Sequence, residues 1–164
     1  MNNNPKIIVA LGFSPYAKEI FNYAAGLALK LEANLMAVNV INSRDIATVA
    51  TISGMGYEVD EEHYIENIKQ ERKKILDEIV KASSFPETRV RAIFKVGDPV
   101  DELLKTVVEE RADMIVMGTK GRTDLAHVFV GSVAEKVFRR SPVPVISFRD
   151  EKTARRMRQR IHFD

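Results

Sequence analysis

A chain of 164 residues lies within the usual span of one domain, and a content of 45% hydrophobic and 29% charged residues excludes a wholly disordered or fibrous protein. The absence of cysteine removes disulfides, thiolate catalysis and Cys-ligated zinc together, leaves His63, His127 and His162 as the imidazoles, and leads us to expect a cytoplasmic setting. The formal charge of +2 is too small to argue for nucleic acid by itself, and it is uneven: from Arg149 to Asp164 six Lys or Arg face three Asp or Glu, a local +3. The opening MNNNPK has neither the charged nor the apolar region of a signal peptide. No apolar run approaches the ~18 residues that span a bilayer.

In chain order, residues 6–11 form a nearly continuous apolar run, the pattern of a strand covered on both faces. Ser14-Pro15 then predicts a helix start, with Ser as cap and Pro in the first turn. Ala17, Ile20, Phe21, Ala24, Leu27, Ala28 and Leu31 follow on one stripe. Leu35 to Val40 reads as a second buried strand. Residues 42–59, with Ser53-Gly54-Met55-Gly56, read as a long connection serving as lid, contact surface or mobile segment.

From about Asp60 the spacing of Ile65, Ile68, Ile75, Leu76, Ile79 and Val80 predicts an amphipathic helix ending near Ser83. Residues 89–96 alternate in polarity, as a half-exposed strand at a sheet edge does. Asp98-Pro99 repeats the cap-then-proline pattern before Val100, Leu103, Leu104, Val107 and Val108. Met114 to Met117 is a fourth buried strand. A loop to Val130 precedes a short helix carrying Val133, Val137 and Phe138, and Val143 to Phe148 is the last strand. This βαβαβαβαβ order implies an α/β fold with a parallel sheet between helix layers. Ligands on such sheets bind beyond the carboxyl ends of the strands, which directs attention to the loops after Leu11, Val40, Val96 and Met117.

The loop after Met117 carries the strongest chemical signal. Gly118 and Gly121 flank Thr119-Lys120 and let backbone N–H groups approach an anion, while Gly131-Ser132 adds amides and a hydroxyl at a helix N-terminus. That terminus holds about half a positive charge. Lys120 and Arg122 supply two more cations, a match for polyphosphate.

Gly118, Gly121, Gly131 and Ser132 fit G-x2-G-x9-G-[ST], and the segment resembles the nucleotide-binding motif of the universal stress protein family. Ile7-Ile8-Val9-Ala10, Val96-Gly97-Asp98-Pro99, Ile115-Val116-Met117-Gly118 and Ser141-Pro142-Val143-Pro144-Val145 are similar to further family landmarks in order, so that the likeness spans residues 5 to 148. The resemblance implies one domain over 1–148, followed here by a basic tail over 149–164. It also implies a five-stranded parallel sheet of order 3-2-1-4-5, a Rossmann-like architecture of the adenine nucleotide alpha hydrolase-like kind. Homodimers would pair through the strand Val143 to Phe148. ATP or another adenine nucleotide, with or without Mg2+, would be held by Gly12, Val40, Gly118, Thr119, Lys120, Gly121, Arg122, Gly131, Ser132 and Val133, with Val40 against adenine. One departure stands out: ATP-binding members usually carry Asp just after the first strand, where this chain has Gly12. Both an acceptor and a negative charge are thereby absent beside the phosphates.

Other constellations are thin. Gly12-Phe13-Ser14-Pro15-Tyr16 lacks the second Gly of a nucleophile elbow, so Ser14 reads as a helix cap. Neither a Walker A loop nor the Rossmann G-x-G-x-x-G is present. His127 reads as solvated, Asp124 has no metal partner set, and no nucleophile, base and orienting group can be assembled. The expectation is a nucleotide-responsive regulatory homodimer, at most a weak ATPase, with unidentified protein partners. A nucleotide-free interaction module is the alternative, and a slow hydrolase or transferase a further one. In the tail, Ala154, Met157 and Ile161 lie among Arg155, Arg156, Arg158 and Arg160. It reads as a frayed terminal helix in preference to a nucleic-acid or membrane contact.

Overall fold

The computed structural model describes residues 4–53, 60–119 and 131–161. Its elements are β1 (Lys6–Ala10), α1 (Ala17–Lys30), β2 (Asn34–Asn42), α2 (Ser43–Ser53), α3 (Glu61–Ala82), β3 (Val90–Gly97), α4 (Pro99–Glu110), β4 (Met114–Gly118), α5 (Ser132–Arg140), β5 (Val145–Phe148) and α6 (Glu151–Arg158). The five strands pair in parallel in the order β3-β2-β1-β4-β5, as the resemblance implied. β3 is an edge strand, which its alternating polarity had indicated.

Because side chains alternate along a strand, the apolar runs feed two cores. Ile7, Val9, Leu35, Ala37 and Val116 pack with α1 and the second half of α3, around fully buried Phe21. Ile8, Met36, Val38, Ile115 and Met117 pack with α4 and α5. On α1 the stripe closes with Ala28, and Leu31 just beyond the helix is exposed. On α5 the buried residues are Ala134 and Val137, whereas Val133 and Phe138 are exposed.

Helix ends explain several boundaries. Asp60 and Asp98 cap α3 and α4, each accepting two backbone N–H bonds. At α1 the Ser14 hydroxyl receives only a long bond from the Tyr16 amide, 3.4 Å, and the helix begins at Ala17, two residues later than the Ser-Pro pattern suggests. α1 and α4 terminate alike: the Ala33 N–H reaches the Ala28 carbonyl at 2.8 Å and the Ala112 N–H that of Val107 at 3.0 Å. Each wrap passes through a left-handed residue, Glu32 and Arg111, both at φ 53°.

Three expectations are corrected. The 42–59 connection is mostly helix, since α2 starts directly after β2 and the Arg44 N–H donates to the Asn42 side chain at 3.0 Å; residues 54–59 lie outside the described ones. The last strand begins at Val145 rather than Val143, because Pro142 and Pro144 interrupt any earlier ladder. The basic tail is not frayed over 151–158: buried Asp150 accepts the Thr153 N–H at 2.9 Å, Thr153 is itself buried, and Arg149 donates to the Met157 sulfur at 2.7 Å. Ile161 is exposed and takes no part in the packed face.

Candidate functional site at the strand-order reversal

From β1 the chain moves outward through β2 to β3, then returns to place β4 on the other flank of β1. This reversal opens a crevice beyond the carboxyl ends of β1 and β4, the usual ligand position in such sheets. On one side the Leu11 N–H continues the ladder to the Val38 carbonyl at 2.9 Å. Gly12 follows, exposed, and a Cβ built on it would meet nothing within 4 Å among the described residues. Phe13 then takes φ 51°, a left-handed conformation that costs a side-chain-bearing residue about 1–2 kcal/mol. The turn is held from behind. Asn39, 3% exposed, donates from Nδ2 to the Leu11 carbonyl at 2.6 Å and accepts from Arg72 Nη1 of α3 at 2.6 Å. A polar residue inside the apolar run 35–40 was the signal for this brace, and sequence reasoning passed over it.

The other wall is formed by Gly118, Thr119 and the start of α5. The buried Thr119 donates its N–H to the Phe148 carbonyl of β5 at 3.3 Å, and its own carbonyl accepts the Gly131 N–H at 2.7 Å. These bonds hold both ends of the glycine-rich loop against β5. Gly131 is the N-cap of α5, with no side-chain cap bond, and Ser132 is the first helical residue. Among the described residues no side chain caps the first amides of α5, which carry the positive end of the helix dipole.

Of the residues singled out in sequence, Gly12, Gly118, Thr119, Gly131 and Ser132 come together at this corner through the β1–β4 pairing, where Ala10 faces Met117. Val133 is exposed on the first turn of α5. Val40 stands one strand away, half-buried, opposite Lys95 of β3 and packed on the α4–α5 side of the sheet. Lys120, Gly121, Arg122, Asp124 and His127 lie outside the described residues.

The carboxyl edge of the sheet also carries a perturbed acid. Asp98 is held below the usual carboxylate range, first by the Asp101 backbone N–H and then by the Val100 amide, with Lys136 of α5 and Arg44 of α2 adding favourable charge against the opposing cost of desolvation. Arg140 of α5 meets Asp101 of α4 at 2.9 Å, tying the two helices on that face. Among the described residues no group of three or more His, Cys, Asp or Glu could hold a metal ion, and no helix is long and apolar enough to cross a membrane.

The family model described as the universal stress protein family matches residues 3–149. The chain belongs to the universal stress protein family. Universal stress protein MJ0577 of Methanocaldococcus jannaschii is 28% identical over 149 residues, covering 86% of this chain and 92% of the relative. A solved structure of MJ0577 superposes with a TM-score of 0.74 at 26% identity, over 90% of this chain and 97% of that one. Two more distant universal stress protein structures share the fold. One, in complex with cAMP, has 21% identity and a TM-score of 0.59, covering 88% of this chain and 96% of the other. The second, from Archaeoglobus fulgidus in complex with dAMP, has 20% identity and a TM-score of 0.60, covering 91% of this chain and all of the other.

Proposed function

We propose that this universal stress protein binds ATP or another adenine nucleotide in the crevice beyond β1 and β4, and works as a nucleotide-responsive regulatory homodimer in the cytoplasm rather than as a metabolic enzyme. The observation that carries the reading is the corner where Thr119 is bonded to both Phe148 and Gly131, so that the N-terminus of α5, whose N-cap Gly131 makes no side-chain cap bond, is held at the same end of the sheet as Gly12. Such amides suit phosphate oxygens. The family members crystallised with cAMP and dAMP add support for the ligand class.

In this reading Gly118, Thr119, Gly131, Ser132 and Val133 take the phosphates and ribose, Lys120, Gly121 and Arg122 of the same motif complete the cradle, and Val40 borders adenine. Mg2+, where used, would be held mainly by phosphate oxygens and water. The domain would comprise 1–148, with 149–164 an appended element, and two copies would pair through β5. With no acid–base–nucleophile set assembled among the described residues of the corner, we expect any hydrolysis to be slow.

Gly12 favours one second reading, a nucleotide-free interaction module, because it offers no carboxylate to the ligand. Thermal unfolding with and without ATP and Mg2+ separates the two. Ligand at a hundredfold excess over Kd adds about 2.7 kcal/mol, a rise on the order of 5–10 °C for a chain of this size. Gly131 has φ −67°, open to any residue, so Gly131→Trp can fill the corner without straining the backbone. The shift should be present in the parent and lost in that variant; no shift in the parent at millimolar ligand would leave the module.

A further inference from the structure

Phe148, the last residue of β5, takes part in both the crevice and the open edge of the sheet. Its main chain serves the crevice. It stands opposite Gly118 in the β4–β5 register, and its carbonyl accepts the N–H of Thr119, whose own carbonyl accepts the Gly131 N–H at 2.7 Å. Its ring serves the edge. Side chains alternate along a strand, so Ile146 and Phe148 lie on the α1 side, where both are half-buried, while Val145 packs on the opposite side with α4 and α5. The Phe148 ring meets that of Tyr23 on α1, with centroids 5.5 Å apart and planes tilted by 49°. Tyr23 is itself 47% exposed, and Leu27, one turn further along α1, is half-buried.

β5 has four residues and one neighbouring strand, β4. At its start the Pro144 carbonyl accepts from Ile115 at 3.0 Å, and at its end the Phe148 carbonyl accepts from Thr119 at 3.3 Å. The strand is therefore held more loosely at the end that supports the crevice. Ile146, Phe148 and Tyr23 form an apolar strip that runs up to the edge where Ser147 presents its peptide groups. A second β5 added antiparallel at that edge is related to the first by a twofold axis perpendicular to the sheet, which keeps like faces on one side. The partner strand would then bond to Ser147 and lay its own apolar strip beside Phe148, fixing that residue through main chain and ring together.

We propose that Phe148 couples these two events, so that pairing of two copies through β5 and binding of an adenine nucleotide in the crevice strengthen each other. The inference rests on the nucleotide and β5 readings above and adds the link between them, which makes the nucleotide a regulator of assembly. A partner that holds Phe148 also holds Thr119, and through it the start of α5, where the phosphates sit. A ligand bonded to the amides of α5 holds the same short series of bonds from its other end. Each event meets a corner already ordered by the other. By linkage, the gain in affinity is the same factor in both directions.

Sedimentation velocity of the full chain over a concentration series, with and without saturating ATP, reads the effect of ligand on pairing. Equilibrium binding of ATP at protein concentrations below and above the dimer Kd reads the reverse. ATP should tighten the parent dimer about tenfold, and the dimer should bind ATP more tightly than the monomer by the same factor. Ser147→Lys, which opposes like charges across the pair, should bind ATP as weakly as the dilute parent, although its added cation alone would favour the anion. Tyr23→Ala, at an exposed position of α1, should still pair and still bind, with the coupling cut to about twofold or less. A parent that pairs and binds ATP with neither affecting the other overturns the proposal. So does dimer-level ATP affinity in Ser147→Lys, or parent-like coupling in Tyr23→Ala, which would route the link past Phe148. A parent that binds no adenine nucleotide overturns the reading of the crevice, and one that stays monomeric with and without ATP overturns that of β5; either takes the coupling with it.

Discussion

The two flanks of β1 are built differently. On one side β2 and β3 run for nine and eight residues and end in a charged edge: on β3, Lys95 pairs with Glu109 of α4 at 3.0 Å, and Arg91 pairs with Glu110. On the other side β4 and β5 have five and four residues, and β5 reads Val-Ile-Ser-Phe with no charge. The carbonyls of Pro144 and Phe148 accept from Ile115 and Thr119 of the neighbouring strand, so in the alternation of a parallel ladder Val145 and Ser147 turn their peptide groups to the open side. Charged edges discourage strand pairing and bare ones permit it. The long flank is therefore a buttress, and the short flank keeps its polar groups available, which supports pairing through β5 and a ligand beside β4.

If that division is right, changes on the short flank should alter assembly and binding at little cost to the monomer, and changes on the long flank the reverse. The largest effect is expected from Ser147→Lys, which sets like charges face to face across a β5–β5 pairing and should weaken the dimer about a hundredfold or more. Sedimentation velocity over a concentration series would register it; an unaltered sedimentation profile breaks the comparison. Next comes Asn39→Ala on the long flank, which strips partners from the buried Leu11 carbonyl and Arg72 and should cost about 1–3 kcal/mol in urea unfolding. Its oligomeric state should match the parent's. The smallest is Asp98→Ala, the loss of a helix cap worth about 1 kcal/mol. Since the folded-state pKa of Asp98 lies below its unfolded value of 3.8, its contribution is complete above that value and lost as pH falls through the lower one. Parent and variant stabilities should converge there, and a gap that persists in strong acid would contradict the cap's role.

Much of the scaffold was legible because buried parallel strands and amphipathic helices write their period directly into the chain: β1, α3, α4 and the edge character of β3 follow from spacing alone. α2 was missed for a physical reason. Its sequence, SRDIATVATIS, is rich in Ser, Thr and β-branched residues with weak helix preference, and its start is set by Asn42, a strand residue that doubles as a cap. At the crevice, glycine spacing located Gly118, Gly131 and Ser132, but the Asn39–Arg72 brace joins residues 33 positions apart. A contact between distant segments leaves no periodic trace.

The matching ends of α1 and α4 say something about evolutionary margin. Glu32 and Arg111 hold a backbone shape that glycine adopts freely and that burdens other L-residues by about 1–2 kcal/mol. A family member that keeps side chains at both positions has not been driven to its most durable form, and it can absorb change elsewhere by yielding at these two points. Thermal hardiness in this chain is thus an untapped reserve, lodged in two surface wraps far from the proposed ligand.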